Sequence, residues 1–118
     1  MSKIISLPTH VNSTGKINVI EKFLPFKIKR VYFIYNISSD RGGHAHKKNK
    51  QAVLAIKGNC KILVRKKKYK KTYNLKNNKE LLLLNPDDWH LIKNCSKDLI
   101  LLVLASENYD PKDYLKEY

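Results

Sequence analysis

The stretch RGGHAHKKNKQAVLAIKGNCKILVRK, residues 41–66, holds the signals for both the architecture and the chemistry of this chain. Its second half reads as two short strands, Gln51 to Lys57 and Cys60 to Lys66, rich in aliphatic and β-branched residues. Gly58-Asn59 between them tolerates positive φ and predicts a tight hairpin turn. In the first half, His44 and His46 stand two residues apart, so an extended strand projects both imidazoles from one face. Gly42 and Gly43 permit a sharp entry into that strand.

Outward from this stretch the chain continues as short β-rich runs parted by turn residues, with no helical i, i+3, i+4 stripe. The candidate strands are Lys16 to Glu21, Ile28 to Asn36, Lys71 to Leu75, Glu80 to Leu84, Trp89 to Lys93 and Leu99 to Ala105. Asn77-Asn78 is a turn, and Pro86-Asp87-Asp88 is another that puts Trp89 and His90 at the start of a strand. The tail ENYDPKDYLKEY, residues 107–118, predicts one helical turn capped by Asp110 with Pro111 at its first position. The pattern is that of an all-β sandwich or barrel, a single domain over residues 1–118 without repeat or linker.

Composition narrows the classes. The 118 residues contain 24 Lys and Arg against 10 Asp and Glu, a formal charge of +14. A domain of this size buries roughly two-thirds of its unfolded surface, enough for one core. The longest pure leucine run, Leu81 to Leu84, is far short of the roughly 20 apolar residues that cross a bilayer, and MSKIISLPTH has no secretory pattern. The cytoplasm is therefore the expected compartment, with Cys60 and Cys95 reduced and acting as small fillers. All but three of the basic residues are Lys, whereas base readers and phosphate clamps favour Arg, so a nucleic-acid partner is not expected. The basic run Arg65 to Lys71 reads as a solvated hairpin edge that lysines protect from pairing with another chain.

The histidines carry the chemistry. His46 is followed after four residues by Gln51, and Gln51 after six by Gly58; His90 stands later, after the Pro-Asp-Asp turn. This spacing resembles the two signature motifs of the cupin superfamily, a β-sandwich rolled into a small jelly-roll barrel. Gln51 occupies the place where metal-binding cupins usually have Glu, and Asp87 replaces the glycine of the second motif. His44, His46 and His90 leave open a three-His Zn or Fe enzyme such as a dioxygenase. A non-enzymatic barrel that binds sugar or nucleic acid through the basic hairpin is a third reading.

The segments KRVYFIYN, DRGGHAHKKNKQ, DDWH and LLVLASENYDPKDYLKEY give a tighter resemblance, from Thr14-Gly15 to Tyr118, to the nucleotide-sugar 3,4-ketoisomerases, the WxcM-like, FdtA/QdtA-type cupins. The resemblance implies an isomerase that moves the ketone of dTDP-4-keto-6-deoxyglucose from C4 to C3 through an enediol, with neither metal nor redox cofactor. Histidine, with an unperturbed pKa of about 6.5, can take and return that proton at cellular pH. By the resemblance His44 and His46 are catalytic, with His46 expected as the base and His44 as the group orienting the sugar oxygens. Tyr32 is a catalytic hydroxyl that donates to the enediol or holds the sugar; Arg41 suits the diphosphate or sugar, and Gln51 a sugar hydroxyl or an imidazole. His90 belongs to the WH form of the second motif, which goes with the galacto product and a 3-amino-3,6-dideoxy sugar pathway, and Thr14 stands where relatives carry a larger residue. His10 is expected in a mobile N-terminus, and the tail acids and tyrosines in structural roles. A homodimer, with an exchanged N-terminal strand in relatives, is the implied assembly.

Overall fold

The structure, a computed structural model, describes residues 2–115. Among the described residues twelve strands and one 3-10 turn form two five-stranded antiparallel sheets and a separate hairpin. The strands are β1 (Lys3–Ser6), β2 (Thr9–Asn12), β3 (Gly15–Asn18), β4 (Arg30–Tyr35), β5 (Arg41–His46) and β6 (Gln51–Lys57). They continue with β7 (Cys60–Lys66), β8 (Tyr69–Leu75), β9 (Glu80–Leu84), β10 (Trp89–Lys93), β11 (Ile100–Ala105) and β12 (Tyr114–Leu115), the 3-10 turn at Pro111–Asp113 lying just before the last. One sheet has the order β1-β9-β6-β11-β4 and the other β12-β5-β10-β7-β8; β2 and β3 pair with each other. No helix among the described residues is long and apolar enough to cross a membrane.

The sandwich core forms because inward residues alternate along each strand. Val53 and Ala55 of β6, Ile62 and Val64 of β7, Leu82 and Leu84 of β9, and Leu101 and Val103 of β11 interlock between the sheets. The intervening residues of β6 and β9, Ala52, Leu54, Leu81 and Leu83, are also buried, packed on Leu7, Ile20, Leu24 and Phe26. This second layer explains why β9 holds four consecutive leucines: the segment between β3 and β4 covers its outer face, so neither side of them meets water.

Strands β6, β7, β9 and β10 occupy the spans their sequences predict. The hairpin expected at Gly58-Asn59 does not exist. β6 pairs with β9 and β11 and β7 with β8 and β10, so the turn, with Gly58 at φ 75°, carries the chain from one sheet to the other. Both strands are apolar on their inner faces, and stacking across the sandwich buries those faces where side-by-side pairing alone would not. The basic run is the true hairpin: β7 and β8 pair from Cys60↔Leu75 to Lys66↔Tyr69, turning at Lys67 with φ 54°. β8 is an outer strand, and its exposed Lys70 and Lys71 suit an edge. The Asp110-capped turn lies where expected, its carboxylate accepting from Lys112 N at 2.9 Å.

The N-terminus departs from expectation. β1 pairs with β9, and His10 lies in β2 opposite Ile17 rather than in a mobile arm. The strand expected over Lys16 to Glu21 is shorter, ending at Asn18, because the chain then leaves to cover β9.

Candidate active site

One end of the sandwich is polar inside. β4 alternates, with Arg30, Tyr32 and Ile34 turned inward and Val31, Phe33 and Tyr35 outward. Tyr32 and Ile34 line a cavity of about 360 Å³ with Arg41, His44, Gln51 and His90. That volume lies within the range of small-molecule sites.

Arg41 and His44 both reach this cavity although they are three residues apart, which strict alternation forbids. The reason is a bulge: β10 pairs His90 with His44 but Leu91 with Gly42, leaving Gly43 as an extra residue. Gly42 has φ 102° and Gly43 φ 74°, and a Cβ on Gly42 would lie 3.1 Å from the His90 carbonyl oxygen. The two glycines therefore set the direction of the histidines as well as the entry to their strand.

The two histidines of β5 differ in access. His44 is half-buried on the cavity wall; His46 is 4% exposed, lies behind it and is absent from the lining. The ring centroids of His44 lie 5.1 Å from His46, 5.0 Å from His90 and 4.8 Å from Tyr114. His46 Nδ1 is 3.0 Å from Asp113 Oδ2, and its Nε2 is buried with no hydrogen-bond partner among the described residues. Burial pulls the His46 pKa below the usual value, against the opposing pull of Asp113. His90 is lowered to about 4, chiefly by burial, with neighbouring His44 and His46 adding to the shift. Its Nδ1–H donates to the Asp88 carbonyl at 3.1 Å, which leaves Nε2 as a bare lone pair at neutral pH.

Gln51 Nε2 donates to the Tyr32 hydroxyl at 3.0 Å, so the tyrosine's own proton is free for another acceptor. Burial raises the Tyr32 pKa and keeps the phenol protonated, while Arg30, stacked 4.4 Å over the ring, works the other way. With its amide engaged by Tyr32, Gln51 supplies no anionic metal ligand, and no three His, Cys, Asp or Glu side chains among the described residues are placed to share a metal ion.

Three members of this end lie outside the expectations drawn from the sequence. Arg30 lines the cavity, Tyr114 lines it while packing on both β5 histidines, and Asp113 holds His46. The tail's acids and tyrosines were expected to be structural; nothing local in YDPKDY announces that Asp113 reaches a histidine 67 positions earlier. The available signal was the tail's likeness to the family pattern.

Over residues 1–118 the chain matches the family described as FdtA, WxcM-like, C-terminal. The chain belongs to the FdtA family. It is 34% identical over 121 residues to TDP-4-oxo-6-deoxy-alpha-D-glucose-3,4-oxoisomerase of Aneurinibacillus thermoaerophilus, covering 99% of this chain and 87% of that protein. Among solved structures it is similar to WlaRA of Campylobacter jejuni, a TDP-fucose-3,4-ketoisomerase, at 35% identity, 99% and 90% coverage and a TM-score of 0.94. WlaRB of the same organism, a TDP-quinovose 3,4-ketoisomerase, matches at 34% identity, 99% and 93% coverage and a TM-score of 0.95. The 3,5-epimerase RmlC of Legionella pneumophila shares 13% identity over 96% of this chain and 70% of its own, with a TM-score of 0.80, a likeness of fold. The FdtA-family chain thus has the cupin-type sandwich that its HxH and WH motifs announced.

Proposed function

We propose that this FdtA-family chain is a sugar-nucleotide 3,4-ketoisomerase acting on dTDP-4-keto-6-deoxyglucose. The observation that carries the reading is the convergence of His44, His90 and the Gln51-bound Tyr32 hydroxyl on one sugar-sized cavity. The reaction needs a base for the C3 proton, a donor to the enediolate oxygen at O4 that then takes back the O3 hydroxyl proton as the C3 ketone forms, and a route for a proton to C4. His44 fills the first role, since it is the β5 histidine on the wall; this reverses the expected division of labour with His46, whose Nε2 is closed off. Tyr32 fills the second, its O–H left free by the Gln51 hydrogen bond. The His44 imidazolium fills the third by returning its proton to C4, and neutral His90, paired opposite His44, sets the face on which that proton lands. Exposed Arg41 binds the diphosphate at the rim, where a planar fork pairs with phosphate oxygens.

The product is assigned as dTDP-3-keto-6-deoxygalactose, made for a 3-amino-3,6-dideoxy sugar. WlaRA and WlaRB match this chain almost equally, so overall similarity does not choose between products. The support is the WH form of the second motif, at Trp89-His90.

A second copy of the chain covers the outer face of β4. Phe33, 62% exposed, stacks on Tyr35 at 5.8 Å in an apolar row with Val31, and the separate β2–β3 hairpin exposes Val11 and Ile17. Exchange of that hairpin between copies would bury both patches. Light scattering that returns the monomer mass of 13.8 kDa would overturn the dimer.

Proton NMR of chelator-treated protein with dTDP-4-keto-6-deoxyglucose tests the reaction. In H2O a new C4 carbinol proton with a small H4–H5 coupling is expected for the galacto product, and a large coupling would mean the gluco epimer. In D2O, deuterium entry at C4 reports the proton transfer. No turnover with or without added metal would overturn the reading.

A further inference from the structure

The C-terminal segment is fastened to the histidine strand more firmly than its length requires. Asp113 N donates to Asp110 O at 3.0 Å, which completes the 3-10 turn, and the Asp113 carbonyl accepts from Lys47 N at 2.8 Å. The Asp113 carboxylate accepts three more hydrogen bonds: Lys48 N to Oδ1 at 2.8 Å, Asn49 N to Oδ2 at 3.3 Å and His46 Nδ1 to Oδ2 at 3.0 Å. Tyr114 and Leu115 then pair with His46 and Ala45 as β12, and the Tyr114 ring packs 4.6 Å from that of His46. The Asp113 and His46 side chains are 10% and 5% exposed.

A carboxylate in this arrangement can only accept, so the His46 proton sits on Nδ1 and the lone pair on Nε2. That lone pair is buried and unpartnered, yet the ring stands edge-on to His44, the group that faces the cavity. A buried nitrogen with no partner carries a desolvation cost, which a purely structural histidine has no reason to bear.

We propose that Asp113 is a positioning residue for the isomerisation: it locks His46 as the Nδ1–H tautomer, so that a neutral imidazole backed by a carboxylate stands against His44 when His44 takes the substrate proton. The imidazolium formed on His44 then meets a lone-pair-bearing ring and a nearby negative charge, and His46 need not change its own protonation. The other groups around the pair are Tyr114 on β12, His90 on β10 and Arg30 on β4, the last of which opposes positive charge on His46. This inference rests on the ketoisomerase reading for its effect on rate, but not for the tautomer.

Two measurements separate them. Long-range proton–nitrogen correlation of histidine-labelled protein should show His46 as the Nδ1–H tautomer near neutral pH, whatever the enzyme does. Asp113→Asn, whose amide can donate to Nδ1, should switch His46 to Nε2–H, lower kcat about 10- to 100-fold and leave KM within about twofold. Asp113→Glu, which restores the carboxylate, should recover the tautomer and part of kcat. A His46 that is Nε2–H or cationic in the unaltered protein overturns the inference. So does an Asp113→Asn variant that switches tautomer and keeps its kcat. Should Asp113→Asn melt early, its tautomer and its kcat per folded molecule are read below its melting temperature, with the tautomer of the unaltered protein still deciding the lock. Absence of turnover in the unaltered protein, seen before any variant is made, removes the ketoisomerase reading and with it the rate role, leaving the lock itself to the NMR measurement.

Discussion

The two ends of the sandwich are built on the same strands and obey opposite rules. Along the inward face of β6, Gln51 gives way to Val53 and Ala55; along β10, His90 gives way to Ile92; along β4, Tyr32 gives way to Ile34. Within two residues, about 7 Å of strand, the interior passes from hydrogen-bonded polar groups to the aliphatic floor of the cavity, which continues into the core. The apolar end derives stability from burial alone. The polar end buries His46, Asn49, Gln51, Asp88 and His90, each more costly to hide from water than an aliphatic group of similar size. The aliphatic end thus carries a site whose own residues are not chosen for stability.

Substitutions at each end should separate activity from stability. The largest effect is expected from His44→Asn, which should lower kcat by about 10³-fold or more while the melting temperature stays within a few degrees; a variant retaining full turnover would return the base to His46. At the other end, Leu101→Ala removes a side chain with no exposure from the core and should cost about 2–5 kcal/mol in urea unfolding, with turnover per folded molecule unchanged.

Acid should find the polar end first. The folded pKa of His90 is lowered to about 4, so the unfolded chain takes up its proton at higher pH than the folded one does. Stability from this group is complete above about pH 6.5, falls as pH drops toward 4 and levels below, a loss of roughly 3 kcal/mol. Urea midpoints from pH 7 to 4 should show that decline, and His90→Asn should flatten it. Gly42→Ala is next in size: a Cβ in the left-handed region, 3.1 Å from the His90 carbonyl, should cost about 1–3 kcal/mol and displace His44, seen as a fall in both melting temperature and kcat. The smallest effect belongs to Lys70→Gln on the outer strand β8, expected within about 0.5 kcal/mol and without effect on turnover.

The fold was legible where chemistry is local. The strands flanking Gly58, the Pro86 turn that starts β10 and the Asp110 cap all follow from residues within a few positions of one another. The pairing of β6 and β7 was not legible, because apolar strands joined by a two-residue turn can lie side by side or stack, and the rest of the sandwich decides which. β1 and β2 were missed for a related reason: KIIS and THVN are four residues each and acquire strand identity from β9 and β3.

For the site, residue order settles which groups are present: two imidazoles on one strand, a third after a turn, a tyrosine on an alternating strand, and a motif pattern shared with the FdtA family. Long-range packing settles how they differ. The Gly43 bulge put His44 on the cavity wall with Arg41, and the return of the tail placed Asp113 on His46, 67 residues away in the chain. Residue type sets what a side chain can do; burial and hydrogen-bond partners, which long-range contacts alone supply, set which proton it holds and whether substrate can reach it.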